Sequence, residues 1–404
     1  MLFACFLLVG LIAFAYVWKT LHQREMGRLA GSDGPVRSQH ILTHWLEHGY
    51  FASCGMIVQD ARVYRWSTGA HFVSGFVLEK LWRAVTGRYG WRLLALHNQF
   101  ITLLAAAMLA MLAYRLARRC GIEPLHAFIL GVAAQMVQFT FPANLALSWE
   151  MSAQAYSLIP AIAFLLLEER ALDGRTRAHT ILQGVAIFAL TYLEGLCSTM
   201  FIAAYLATLL LVRGERPPLR RLLLTLLLPW LLSYAIYGIQ RNCASGATLV
   251  GSSFQYRSGL DGDATFYRDH LDIAFGRDVV RAGGPPSRFR WPLLFIAGTA
   301  ALVAILGAFL RGRAPRIAVV ALLALAGEYV LYAAVFSQAV MLHPYLFDAL
   351  LVAPLTLALF AVAPALVEAA TKRSGLIAYL TLFAATWLSM FQLRLYALSY
   401  PLAG

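Results

Sequence analysis

The sequence predicts an all-α polytopic membrane protein with about eleven transmembrane helices. Of its 404 residues 60% are hydrophobic and only 13% are charged, where soluble domains carry about a quarter charged. The mean hydropathy is +0.67. Apolar runs of roughly 17 to 25 residues recur along almost the whole length, so most of the chain reads as one bundle in lipid with no large soluble domain.

In chain order the spans fall near 2–18, 95–114, 123–142, 153–167, 179–196, 198–212, 220–238, 291–310, 317–336, 347–367 and 375–393. The first has no basic n-region and no small-residue cleavage site, so it is expected to be a retained span, not a signal peptide. Residues 1–120 form an N-terminal module of first span, long loop 19–94 and second span. Residues 121–404 form the remaining bundle, with a second long loop at 241–290.

Orientation follows from arginine. Arg115, Arg118 and Arg119 follow the second span, Arg170, Arg175 and Arg177 the fourth, and Arg213, Arg216, Arg220 and Arg221 the sixth. Arg311, Arg313 and Arg316 follow the eighth, and Lys372 and Arg373 the tenth. Every second short loop is basic, which puts those loops and the N-terminus in the cytoplasm and both long loops outside. The net charge of +13 rests on arginines, with lysine only at positions 19, 80 and 372; this bias points to a GC-rich bacterial genome. The arginines flank spans and form no soluble basic face, which excludes nucleic acid as a partner. The five cysteines contain no CxxC pair. Cys54 and Cys243 both fall outside, and that topology permits a disulfide between them.

The first outer loop carries the densest pattern. Asp33 precedes an amphipathic helix with Ile41, Leu42, Trp45 and Leu46 on its apolar side and His40, His44, Glu47 and His48 on its polar side. Such a helix is expected to lie on the membrane surface. A turn at Gly49 follows, and then a second amphipathic stretch with Phe72, Phe76, Val77 and Leu81 on one face. The plain reading of Asp33 in SDGP is a turn or cap residue.

Asp33, Gly49, the segment Tyr64 to His71, Gly87 and Arg92 together resemble the GT-C superfamily of lipid-dependent glycosyltransferases, such as the aminoarabinose transferases and protein O-mannosyltransferases. The resemblance covers residues 1–120 by motif and the rest by span pattern. Two departures stand out: Gly34 and Pro35 follow Asp33 where the family has a second acid, and YRWSTGAH stands where it has a proline pair. The resemblance implies a GT-C-like fold and an inverting transfer of a sugar from a polyprenyl-phosphate donor to a lipid-linked or cell-envelope glycan acceptor. The transfer would take place on the periplasmic side of the bacterial inner membrane. One carboxylate base and cations for the departing phosphate suffice for such a displacement. Asp33 is then the expected base and Glu150 the second choice, against a solvated loop glutamate.

For the donor phosphate the candidates are Arg62, Arg65, His71, His343 and Tyr345, since guanidinium forks suit phosphate oxygens; the bland reading of Arg62 and Arg65 is lipid head-group binding. His40, His44, Glu47, Trp66 and Glu194 are candidates for acceptor or sugar contact. His40, His44 and His48 share one helix face but climb about 12 Å, too far to meet one ion. No metal or other cofactor is expected, although some GT-C enzymes hold a divalent metal on carboxylates. The alternatives are a transporter or flippase of a lipid-linked precursor, with Glu194, Glu328 and Asp348 as coupling sites, or a non-catalytic GT-C-like membrane partner. Oligomeric state is open.

Overall fold

The computed structural model describes residues 1–17, 33–59, 62–141, 144–145, 153–210, 218–245, 315–335, 344–372 and 375–399; at 33–39, 57–59, 62–68, 91–92 and 344–349 the description is of the backbone. The described residues are helical, apart from one two-stranded hairpin in the first loop. The helices are α1 (Leu2–Val17), α2 (Asp33–His48), α3 (Ala70–Thr86), α4 (Trp91–Arg119), α5 (Pro124–Thr140), α6 (Ala153–Arg170), α7 (Arg177–Leu193) and α8 (Gly195–Thr208). Then come α9 (219–245), α10 (Pro315–Val335), α11 (344–371) and α12 (Leu376–Ser399). Single π turns, Leu223–Leu227 and Ala358–Val362, interrupt α9 and α11.

Ten of the predicted spans coincide with these helices; the one at 291–310 lies outside the described residues. Four segments, Leu93–Arg119, Leu219–Ala244, Val352–Thr371 and Leu376–Arg394, are long and apolar enough to cross a membrane, and Leu2–Tyr16, Pro124–Thr140, Gly195–Thr208 and Ile317–Tyr332 are shorter apolar helices. Their outward faces fit lipid: Leu224, Leu227, Leu228, Leu231 and Leu232 on α9, and Phe383, Trp387 and Met390 on α12, are exposed. The core runs through α4, α5, α6, α8, α10 and α11, with α8 packed along α10 and α4 along α5. Small residues permit the close approach. A Cβ on Gly327 of α10 would sit 2.7 Å from that of Ala204 on α8, and in lipid such contact replaces the hydrophobic drive that helices lack there.

Polar groups gather at the two ends of the bundle. At the end where α4 and α6 finish and α7 and α9 begin, two consecutive buried acids each engage two arginines. The Glu168 carboxylate accepts from Arg175 Nη2 at 2.8 Å, Gln183 Nε2 at 2.8 Å and Arg221 Nη2 at 2.6 Å. Glu169 pairs with Arg115 and, at 2.6 Å, with Arg119, which also holds the exposed Asp173. On the same side Glu368 accepts from the backbone N–H of Gly375 and Ala378, both at 3.1 Å, and caps the start of α12. Four arginines of the predicted cytoplasmic loops are therefore structural clamps as well as orientation signals.

A buried carboxylate is tolerated only when matched. Replacing Glu168 with Ala leaves Arg175 and Arg221 facing a void and is expected to destabilise the protein by about 3–5 kcal/mol. Thermal unfolding in detergent should show it, with Asp173→Ala, at an exposed position, close to wild type.

Candidate functional site

The first loop is a folded cap on the opposite end of the bundle. Helix α2 begins at Asp33, tolerates Pro35 in its first turn and ends at Gly49, whose φ of +91° turns the chain while its N–H bonds Trp45 O at 3.0 Å. The apolar and polar sides divide as the sequence predicts: Ile41, Leu42 and Trp45 are buried, whereas His40, Glu47 and His48 are exposed. The apolar side does not meet lipid, however. It packs on Phe72, Leu94 and Tyr156, so protein takes the place of the expected membrane surface.

Trp45 is the centre of this cap. Its indole N–H donates to Met56 O at 3.0 Å and its rings meet Tyr50, Phe72 and Phe76 edge-on. Gly69 is needed beside it, because a Cβ there would lie 2.5 Å from the indole. Strands β1 (Met56–Gln59) and β2 (Arg62–Thr68) pair antiparallel, with Met56 opposite Thr68 and Gln59 opposite Arg62. This hairpin went unpredicted, although MIVQ and RVYRWST carry the alternation of β-branched and aromatic residues that forms one.

Three ties hold the cap to the bundle. A disulfide joins Cys54 to Cys243 near the end of α9, 189 residues away in sequence. Tyr50 of the turn bonds Tyr192 of α7 and Gln240 of α9, which are themselves joined by a Tyr192 to Gln240 bond of 2.8 Å; its phenol is pushed up to about 12 by burial and then by Tyr192. Glu79 of α3 accepts from Gly90 N–H at 2.7 Å and so caps the start of α4.

Of the expected site residues, Asp33 is the first residue of α2, while its side chain lies outside the described set. Arg62, Arg65 and Trp66 sit on β2, and Tyr345 and Asp348 in the first turns of α11, again by backbone alone. Glu150 and His343 lie outside the described residues. His71 is buried against Phe72 and Tyr156, at ring separations of 4.3 and 6.3 Å. It is the expected phosphate candidate whose side chain the structure places inside the cap. Likewise Val77 and Leu81 do not share a face with Phe72 and Phe76: the phenylalanines turn inward to Trp45, and Val77 and Leu81 are exposed.

His44 and His48 stack at 4.5 Å, and burial followed by the neighbouring His48 lowers the His44 pKa. Among the described residues no three His, Cys, Asp or Glu side chains converge as metal ligands. Glu194 is buried at the break between α7 and α8. Glu328 is buried in α10 with its Oε1 lacking a hydrogen-bond partner among the described residues.

Sequence reasoning missed one polar cluster beneath the cap. Tyr156 OH donates to Asn98 Oδ1 at 3.1 Å and lies 3.3 Å from His97 Nδ1, joining α6 to α4. Its signal was the run His97, Asn98, Gln99 at the start of an apolar span, where polar groups are costly. Beside it, Leu11, Phe14, Leu78, Leu93, Leu96, Phe100 and Leu103 line a pocket of about 310 Å³ with His97 as its polar wall. The arrangement is thus a rigid aqueous cap over a pocket that is apolar except for one imidazole.

Two outcomes follow. In a protein whose Cys5, Cys120 and Cys197 are changed to Ser, Cys54 and Cys243 should take up maleimide only after reduction, read as a gel shift. Burial raises the Glu79 pKa, so its contribution to stability is full below the ordinary carboxylate range and is lost as pH rises through the native value. The stability of wild type relative to Glu79→Gln should therefore fall as pH rises above the ordinary carboxylate range of about 4 in thermal unfolding. Compared with known proteins, the chain matches no family model and no curated sequence.

Proposed function

We propose that the protein is an inverting glycosyltransferase of GT-C type, moving a sugar from a polyprenyl-phosphate donor to a lipid-linked or cell-envelope glycan acceptor. The observation that carries this reading is the folded first loop, which seats an acid at the start of α2 on a cap docked over the bundle. A carboxylate at that position can serve as the general base for an acceptor hydroxyl. Asp33 then takes the acceptor hydroxyl proton as the hydroxyl oxygen attacks the anomeric carbon. The bond to the lipid phosphate breaks in the same displacement, which inverts that centre. Arg62 and Arg65 on β2 are the cations proposed for the departing phosphate. His40, Glu47 and Trp66 remain the proposed sugar contacts.

Location at the outer face of a bacterial inner membrane draws support from two features at opposite ends. The Cys54–Cys243 disulfide suits an oxidising compartment, and the arginine layer lies at the other end, as expected of cytoplasmic loops. One observation favours a second reading: Glu328, buried with an oxygen that has no hydrogen-bond partner among the described residues, is the kind of group a proton-coupled transporter uses.

The deciding assay is sugar transfer by the purified full chain in nanodiscs from a panel of labelled polyprenyl-phosphate sugars to envelope acceptors. Wild type should transfer, and Asp33→Asn should lose at least about a hundredfold in rate with the Cys54–Cys243 bond intact. Equal rates would move the base to Glu150. Absence of transfer from every donor would defeat the transferase reading and make Glu328→Gln the next variant, in a transport assay.

A further inference from the structure

On its other flank the cap carries a cleft of about 680 Å³, lined by residues of α2, α3 and the turn between them. One wall is aromatic, with Trp45, Tyr50, Phe51 and Phe76; the rim carries the cations Lys80 and Arg83 beside the His48 ring, and no acid among the described residues lines it. The volume lies in the range of small-ligand sites.

The aromatic wall is built to hold its shape. Within the turn, Cys54 N–H bonds Phe51 O and Gly55 N–H bonds Tyr50 O, both at 3.0 Å, and the hydroxyl of Ser53 donates to Tyr50 O at 3.0 Å. The disulfide fixes Cys54 in turn. Phe51 is nevertheless 88% exposed. An exposed aromatic ring held by its turn, beside two cations that form no ion pair among the described residues, is an arrangement that a ligand rewards. Arg83 stacks on the Tyr89 ring at 5.0 Å and donates to its hydroxyl at 3.3 Å, which positions the guanidinium and leaves other donors for a ligand. Lys80 lies 5.9 Å above the Phe76 ring. Glu79 acts on Arg83 through space but points to Gly90.

The helix itself selects the class of ligand. Val77, Leu81 and Val85, all exposed, form a strip at i, i+4 and i+8. At 100° per residue this strip lies roughly 130° around α3 from Phe76, Lys80 and Arg83. If the strip faces lipid, the cleft opens toward water, so its occupant is polar and soluble. Rings that take the apolar face of a pyranose, next to cations that take a carboxylate or phosphate, describe a charged sugar.

We propose that this cleft binds an anionic saccharide, a uronate or phosphorylated sugar residue, stacked on Phe51 and Tyr50 with its charge on Lys80 and Arg83. Its role as the recognition site for a charged glycan acceptor rests on the transferase reading; the binding does not.

The test is calorimetric titration of the full chain in phosphatidylcholine nanodiscs with digalacturonate, glucose 1-phosphate and neutral cellobiose. At least one charged sugar should bind, with cellobiose about tenfold weaker or more. Phe51→Ala and the pair Lys80→Gln with Arg83→Gln should each weaken charged-sugar binding about tenfold. Val85→Ala, on the far strip, should bind as wild type, and an intact Cys54–Cys243 bond reports folding in every variant. Equal affinity for cellobiose, or unchanged binding in the cleft variants, would overturn the proposal. So would a result in which no sugar binds and the Lys80 and Arg83 changes alter only retention of phosphatidylglycerol, which would make the cleft a head-group site. Loss of transfer in Asp33→Asn with binding preserved separates this inference from the transferase reading.

Discussion

An apolar bundle has no water inside to satisfy a polar group, so every buried charge must find its partner within the chain. Glu168 and Glu169 meet this constraint with four arginines drawn from the ends of α4, α9 and the turn before α7. The result fixes which helix ends lie together and closes that face with ion pairs. Polar structure that is free to do chemistry is thereby left to the opposite face, where the first loop folds.

That loop is held by ties of different kinds that converge on one small region. The indole of Trp45 fills the space under the hairpin and bonds Met56 O. The disulfide and the bonds of Tyr50 with Tyr192 and Gln240 secure the turn after α2 to α9 and α7, while Glu79 secures α3 to α4. Groups on such a cap keep their geometry without the entropy loss of ordering a mobile loop at each binding event. A pocket with an imidazole wall on one flank and an aromatic, cationic cleft on the other give the cap two chemically different surfaces.

Much of this was legible in the sequence because lipid imposes simple rules. Length and apolarity marked the helices, arginine placement marked one face, and the alternation of Ile41, Leu42 and Trp45 with His40, His44 and His48 gave the two sides of α2. Gly49 ended that helix as its conformational freedom suggests. The candidate site was legible in part. The sequence indicated the loop and the amphipathic split of its first helix, but put Val77 and Leu81 on the face of Phe72 when they point away.

What the sequence determined by itself is therefore the apolar helical architecture, the segregation of arginine and the amphipathic character of the first loop. These depend on local periodicity and on the cost of charge in lipid. The tertiary structure alone decided the pairing of Glu168 and Glu169 with particular arginines, the join between Cys54 and Cys243, the contact of Tyr156 with Asn98 and the cleft formed by Phe51, Lys80 and Arg83. Each of these brings together residues from separate elements, and no periodicity along one segment encodes which distant segment will lie against it.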